Sequence, residues 1–210
     1  MMMNRERIGF WIRLLSILLA VFFVGSFIFV GLGSNLSYNL FELIGGSDQQ
    51  QGGQTNDTEK QIEQAERELK ENPKDPGAVK KLAALYYQAG RLDEAARVLE
   101  TGRDVAPNDA EIALLLGQVY YRQAQTAAEE KERKELYEKA GDAYASTAEI
   151  ERQNEDAYLL AGESYDQAGE PAQAIEYYNG YLDLEPKGRQ AEAVKERISA
   201  LLETTDGGQP

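Results

Sequence analysis

The chain contains no cysteine and no histidine, and only one tryptophan. Without Cys there is no disulfide framework, no thiol nucleophile and no lipid-attachment thiol. Without His or Cys, neither a Ser-His or Cys-His relay nor a zinc site of the usual ligands can be assembled. Positive charge is also scarce: 22 Lys plus Arg face 36 Asp plus Glu, a net charge of -14. That balance argues against a nucleic-acid partner, because phosphate neutralisation needs basic surface. The abundant carboxylates are accompanied by no nucleophile, metal motif or phosphate-binding glycine loop, so neither an enzyme nor a cofactor is expected. At 210 residues the chain suits one domain of about 150 residues with additional segments.

Between Arg13 and Lys60 there is no Lys or Arg at all. Residues 14–32 form an uncharged apolar run, extended on its N-terminal side by Ile8, Phe10, Trp11 and Ile12. A helix needs about 20 apolar residues to cross a bilayer, so residues 8–33 are expected to be a single transmembrane helix. A cleaved signal would have a shorter apolar region of about 7–15 residues and a small-residue cleavage site. Arg5, Arg7 and Arg13 precede or open the span, and the positive-inside rule places residues 1–7 in the cytoplasm and the rest of the chain on the extracytoplasmic side of the cell membrane. Residues 34–57 read as a juxtamembrane segment followed by a flexible linker, GGSDQQQGGQTND at 45–57, with nothing to bury.

The remainder repeats. Leu82-Ala83-x2-Tyr86 returns as Leu116-Gly117-x2-Tyr120 after 34 residues and as Ala161-Gly162-x2-Tyr165 after a further 45. Ala95-x3-Leu99, Ala140-x3-Tyr144 and Ala174-x3-Tyr178 follow with the same two displacements in reverse order. Three units result, at about 76–109, 110–154 and 155–188, and the middle one carries 11 extra residues. Each unit reads as two helices. Asp75-Pro76 and Asn108 or Asp109 supply starts, while Gly90 and Gly169 supply stops. Leu82, Ala83, Tyr86, Ala95, Leu116, Gly117, Tyr120, Ala140, Gly162, Tyr165 and Ala174 are expected to pack the repeats, the small ones permitting close helix approach. The inserted region lacks Gly and Pro and is rich in helix formers, so lengthened helices forming a ridge are expected. Residues 58–72 and 189–203 are amphipathic and suit capping helices, with a disordered tail at 204–210.

This pattern resembles the tetratricopeptide repeat family, whose motif is W-x2-L-G-x2-Y, A-x3-F and P on a period of 34. The resemblance covers about residues 76–188, with Arg152 in place of the second repeat's closing proline. It implies an all-α, right-handed solenoid of helix pairs, with a concave groove lined by the first helix of each pair. By that analogy Lys80, Tyr87 and Gln88 face the groove from the first repeat, and Leu114, Gln118, Tyr121 and Arg122 from the second. Leu159, Glu163 and Asp166 face it from the third. The cationic clamp with which some family members hold chaperone C-termini is not reproduced beyond Lys80. The acidic third repeat suits a segment bearing Lys or Arg. The expectation is a membrane-tethered adaptor, similar to membrane-anchored bacterial repeat proteins, that binds a partner protein or peptide in envelope assembly or protein maturation. The alternative is a self-associating scaffold, a homo-oligomer without a separate client.

Overall fold

The chain divides into two units, Met1–Gly52 and Gly53–Pro210. A computed structural model describes residues 54–206, all within the second. The expected cytoplasmic, transmembrane and juxtamembrane segments up to residue 53, and residues 207–210, lie outside the described residues. Among the described residues no helix is long and apolar enough to cross a membrane.

Among the described residues eight helices follow one another: α1 Gln54–Glu71, α2 Pro76–Gln88, α3 Leu92–Val105, α4 Ala110–Thr126, α5 Glu130–Ile150, α6 Glu155–Ala168, α7 Pro171–Leu184 and α8 Ala191–Asp206. Each packs on its neighbour in sequence, and α2 also touches α4. This is a tetratricopeptide-type helical solenoid, with α2–α3, α4–α5 and α6–α7 as its pairs. The first helices start on polar caps. Asp75 accepts from the Gly77 amide at 2.9 Å, ahead of Pro76 at the first helical position. Asp109 accepts from Glu111 and Ile112, and Asn154 from Ala157. Each cap satisfies amides that the helix leaves unpaired. The turns after α2 and α6 run through Gly90 and Gly169 at φ 72° and 86°, a backbone region open to glycine at no steric cost.

The inserted residues are carried as helix. The middle pair has 17 and 21 residues, against 13 and 14 in the first pair and 14 and 14 in the third. Two boundaries differ from expectation. Helix α1 begins at Gln54, inside the segment read as linker, and Asp57 in its first turn complements the helix dipole and pairs with Lys60. At the other end α8 continues to Asp206 rather than fraying at 204, with the Thr204 hydroxyl donating to the Leu201 carbonyl at 2.7 Å.

Two contacts set the spacing of the helices. Within the second and third pairs, an aromatic ring of the second helix presses on a glycine of the first. A Cβ built on Gly117 would lie 2.7 Å from the Tyr144 ring, and one on Gly162 would lie 2.6 Å from the Tyr178 ring. In the first pair the same two positions hold Ala83 and Leu99, both buried. A small residue thus meets a large one each time, with glycine reserved for the larger ring. Between pairs, a tyrosine hydroxyl clips onto a carboxylate of the preceding helix. Tyr86 donates to Glu66 at 2.6 Å, Tyr120 to Glu100, and Tyr165 to Asp142 at 2.8 Å. The Tyr86 phenol is pushed up to about 12 by burial and by Glu66, and burial and the acceptor carboxylate likewise raise Tyr120 and Tyr165. Arg91 and Lys139 cover the rings of Tyr86 and Tyr120, and Tyr177 stacks on Tyr165 at 5.5 Å.

Gly162→Ala gains about 1 kcal/mol of helix propensity but forces a methyl into a ring that is 4% exposed, an overpacking cost of about 1–3 kcal/mol. Overpacking wins, and the melting temperature of residues 54–206 falls. Adding Tyr178→Leu, which copies the Ala83 and Leu99 combination, restores part of the loss. Thermal melts of the two single variants and the double variant check this, since independent sites would give additive losses.

Candidate partner-binding groove

The candidate groove residues lie on the first helices of the pairs, α2, α4 and α6, of which α2 and α4 are in contact. In each first helix a tyrosine pair or its equivalent divides its labour by helical geometry. Tyr86 and Tyr120 point back to the preceding helix and are buried, while Tyr87 and Tyr121 are half-buried, Tyr121 packing against a small cluster of Ala124, Tyr137 and Ala168. Tyr121 meets Tyr137 edge to face at 5.2 Å, an arrangement that suits the ring quadrupoles. Leu114, Gln118 and Leu159 are half-buried as well, and Gln88 and Arg122 are exposed, Arg122 reaching Gln125 on its own helix.

Two candidate groove residues have other employment. Lys80 donates to Glu111 at 2.6 Å and to Asp109 at 3.2 Å, tying the first repeat to the start of the second. Asp166, with a side chain only 7% exposed, is gripped by both nitrogens of the Arg197 fork from α8 and accepts from the Tyr178 hydroxyl at 3.3 Å. A bidentate Arg–carboxylate pair is geometrically specific, so this one docks the C-terminal helix. Lys80 and Asp166 are therefore structural cross-links and not free ligand contacts. The packing candidates Leu82, Ala83, Tyr86, Ala95, Leu116, Gly117, Tyr120, Ala140, Gly162, Tyr165 and Ala174 are all buried.

Glu163 is different. It sits one turn before Asp166 on α6, half-buried, and its carboxylate has no hydrogen-bond or cationic partner among the described residues. Burial, with Asp166 nearby, pushes it up from 4.5 to about 7. The groups that feel it electrostatically come from three other helices: Tyr121 from α4, Tyr144 from α5 and Tyr178 from α7. Tyr144, 2% exposed, also feels Tyr87 and Tyr121. The ring that presses on Gly162 carries its hydroxyl to Asp166, one turn beyond Glu163 on α6. Tyr144 and Tyr178 occupy the A-x3-F motif position, where a tyrosine in place of phenylalanine is the sequence signal of a polar role.

An open cleft of about 730 Å³ lies between α3 and the ends of α4 and α5 that the inserted residues lengthen. Arg91, Arg97 and Lys139 alternate there with Asp93, Glu94, Glu100 and Glu132, so it has no net preference for one charge. Among the described residues no group of acidic side chains is arranged to hold a metal.

Known proteins fit this architecture. A family model for the tetratricopeptide repeat matches residues 57–119. Among solved structures, MamA superposes with a TM-score of 0.55 at 23% identity, covering 72% of this chain and 80% of that one. A second MamA structure gives 0.53 at 22% identity over the same shares. A thermophilic TPR protein of Thermus thermophilus gives 0.48 at 22% identity, covering 69% and 72%. A comparison with curated proteins returns no match. At these identities the structural likeness is one of fold.

The displaced ionisation of Glu163 has a sign that can be worked out. Its folded value lies above the ordinary one, so its stabilising contribution is complete below about 4.5 and is lost as pH rises through about 7. The full loss is on the order of 3 kcal/mol. Glu163→Gln, which cannot ionise, is therefore expected to match the wild type at pH 4.5 and to melt several degrees higher at pH 8. Urea titrations at the two pH values check it. Equal differences at both would contradict an uncompensated buried carboxylate.

Proposed function

We propose that this chain is a membrane-tethered adaptor that holds a segment of a partner protein in the groove of its helical repeats. The observation that carries the reading is the recurrence of half-buried residues on the first helix of each pair, Tyr87 on α2, Leu114, Gln118 and Tyr121 on α4 and Leu159 and Glu163 on α6. Half-exposed tyrosines supply large contact area with few rotamers to freeze, which is what protein-binding hot spots use. The tetratricopeptide-type fold supports protein binding over catalysis, and no chemistry beyond non-covalent recognition is required. Residues 8–33 act as a single-pass anchor with residues 1–7 in the cytoplasm. The repeats then lie on the extracytoplasmic face of a bacterial envelope, in assembly or maturation of exported proteins. Tethering to a surface raises the effective concentration of membrane-borne partners.

The test is photocrosslinking of the full chain in its native membrane from Gln118, inside the groove, and from Asp104, exposed on α3. One and the same partner captured from Gln118 and not from Asp104 is the expected result. Capture only of a second copy of this chain from Gln118 would replace the adaptor by a self-associating scaffold. Resistance of the chain to alkaline extraction, with the repeats open to protease added from outside, is the expected behaviour of the anchor. Release by alkali would contradict it.

A further inference from the structure

Among the candidate groove residues, Asp166 is met by a helix outside the repeats. Tyr87, Tyr121 and Asp166 follow one another at 34 and 45 residues, the displacements that relate the repeats. Asp166 therefore holds in the third repeat the position that those tyrosines hold in the first two. Its side chain is 7% exposed, and both carboxylate oxygens are engaged: Arg197 Nε and Nη2 donate to Oδ2 and Oδ1, and the Tyr178 hydroxyl donates to Oδ2 at 3.3 Å. Arg197 comes from α8, whose hold on the repeats differs from the junctions between them. No tyrosine in α8 makes a hydroxyl clip. Its buried residues are Ala191, Val194 and Leu201, and the helix it packs on is α7. The Arg197 side chain is itself 50% exposed, so water and competing cations reach the pair and it adds little to the hold of α8. A helix at the end of the described fold with a small apolar face opens at a lower free energy than the core does.

We propose that Asp166 and the Tyr178 hydroxyl form an arginine-binding subsite of the groove, that α8 fills it with its own Arg197, and that an arginine of the bound protein segment takes its place. This deepens the adaptor reading and rests on it. Exchange of one guanidinium for another restores both charge-assisted hydrogen bonds and leaves no buried carboxylate unpaired, so what opposes it is the packing of α8 alone. Arginine fits and lysine does not, because a carboxylate offering both oxygens matches a planar fork of two N–H donors, whereas an ammonium is a point charge. An acidic segment would meet Asp166 and the net charge of -14 with repulsion. Arg197 is tethered, so it competes at an effective concentration on the order of millimolar. The subsite is thereby closed to a lone arginine and opens to a segment that makes further contacts along the first helices.

The experiment selects peptides from a random library displayed on phage, using the full chain in nanodiscs as its Arg197→Met variant, in which the subsite is vacated. Peptides with one invariant arginine are expected. A selected peptide should bind the wild type at least about tenfold more weakly, because Arg197 competes there. Adding Asp166→Asn to the variant, or replacing the peptide's arginine by norleucine, should each weaken binding, and the two losses should not add, as a double-mutant cycle requires of a direct pair. At saturation on the wild type, the peptide should speed amide hydrogen exchange in residues 191–206 and not in α2 to α7, which a purely structural ion pair would not allow. Circular dichroism checks the fold, and Arg197→Lys, which keeps the charge and loses the fork, carries the same comparison where Arg197→Met is unstable. Peptides without an invariant arginine, or an arginine peptide that binds wild type and variant alike and leaves the exchange of α8 unchanged, would overturn the subsite while leaving the groove intact as a binding site. Absence of any enriched peptide whose binding falls with Gln118→Ala would overturn both.

Discussion

The structure depends on the contact between a glycine of one helix and a tyrosine ring of the next. Gly117 under Tyr144 and Gly162 under Tyr178 let paired helices approach to a distance that any Cβ would prevent. This close approach fixes the spacing within the second and third pairs. In the third pair it also carries the Tyr178 hydroxyl to Asp166, which the Arg197 fork grips from α8, so the packing of that pair and the docking of the C-terminal helix are one feature.

The tyrosines do three separate jobs, sorted by their position along the first and second helices. Tyr86, Tyr120 and Tyr165 reach backward and clip each pair to the previous helix through Glu66, Glu100 and Asp142. Tyr144 and Tyr178 fill the space over glycine. Tyr87 and Tyr121 are left half-buried, Tyr121 edge to face with Tyr137. Hydrogen bonds to a charged acceptor are worth about 1.5–3 kcal/mol each, so the backward clips are a sizeable share of the adhesion between pairs. A solenoid in which each pair touches only its neighbours needs such a term at every junction. The C-terminal junction replaces it with the Arg197–Asp166 fork.

Much of this was legible in the sequence, for a physical reason. Small residues at helix crossings and tyrosines at junctions must recur wherever the crossing recurs, so the period of 34 and its lengthening in the middle pair are written in Ala83, Gly117, Gly162 and their partners. The acceptors were not legible. Glu66 and Glu100 lie 20 residues before their tyrosines and Asp142 lies 23 before its own, on solvent-facing helix sides where carboxylates are commonplace. For the same reason Lys80 and Asp166 read as free groove charges. Only the fold reveals that Asp109, Glu111 and Arg197 reach them from neighbouring elements. The start of α1 at Gln54 was hidden by a Gly- and Gln-rich composition that carries no periodicity to mark a helix.

The account holds that Glu163, half-buried on α6, has no cationic partner among the described residues. The most direct measurement is the titration of the Glu163 side-chain carboxyl, followed by its ¹³C chemical shift in the isolated repeats. A midpoint raised toward about 7 is what its burial beside Asp166 predicts. A midpoint near 4.5 would mean that Glu163 is solvated or already paired, and would contradict the account.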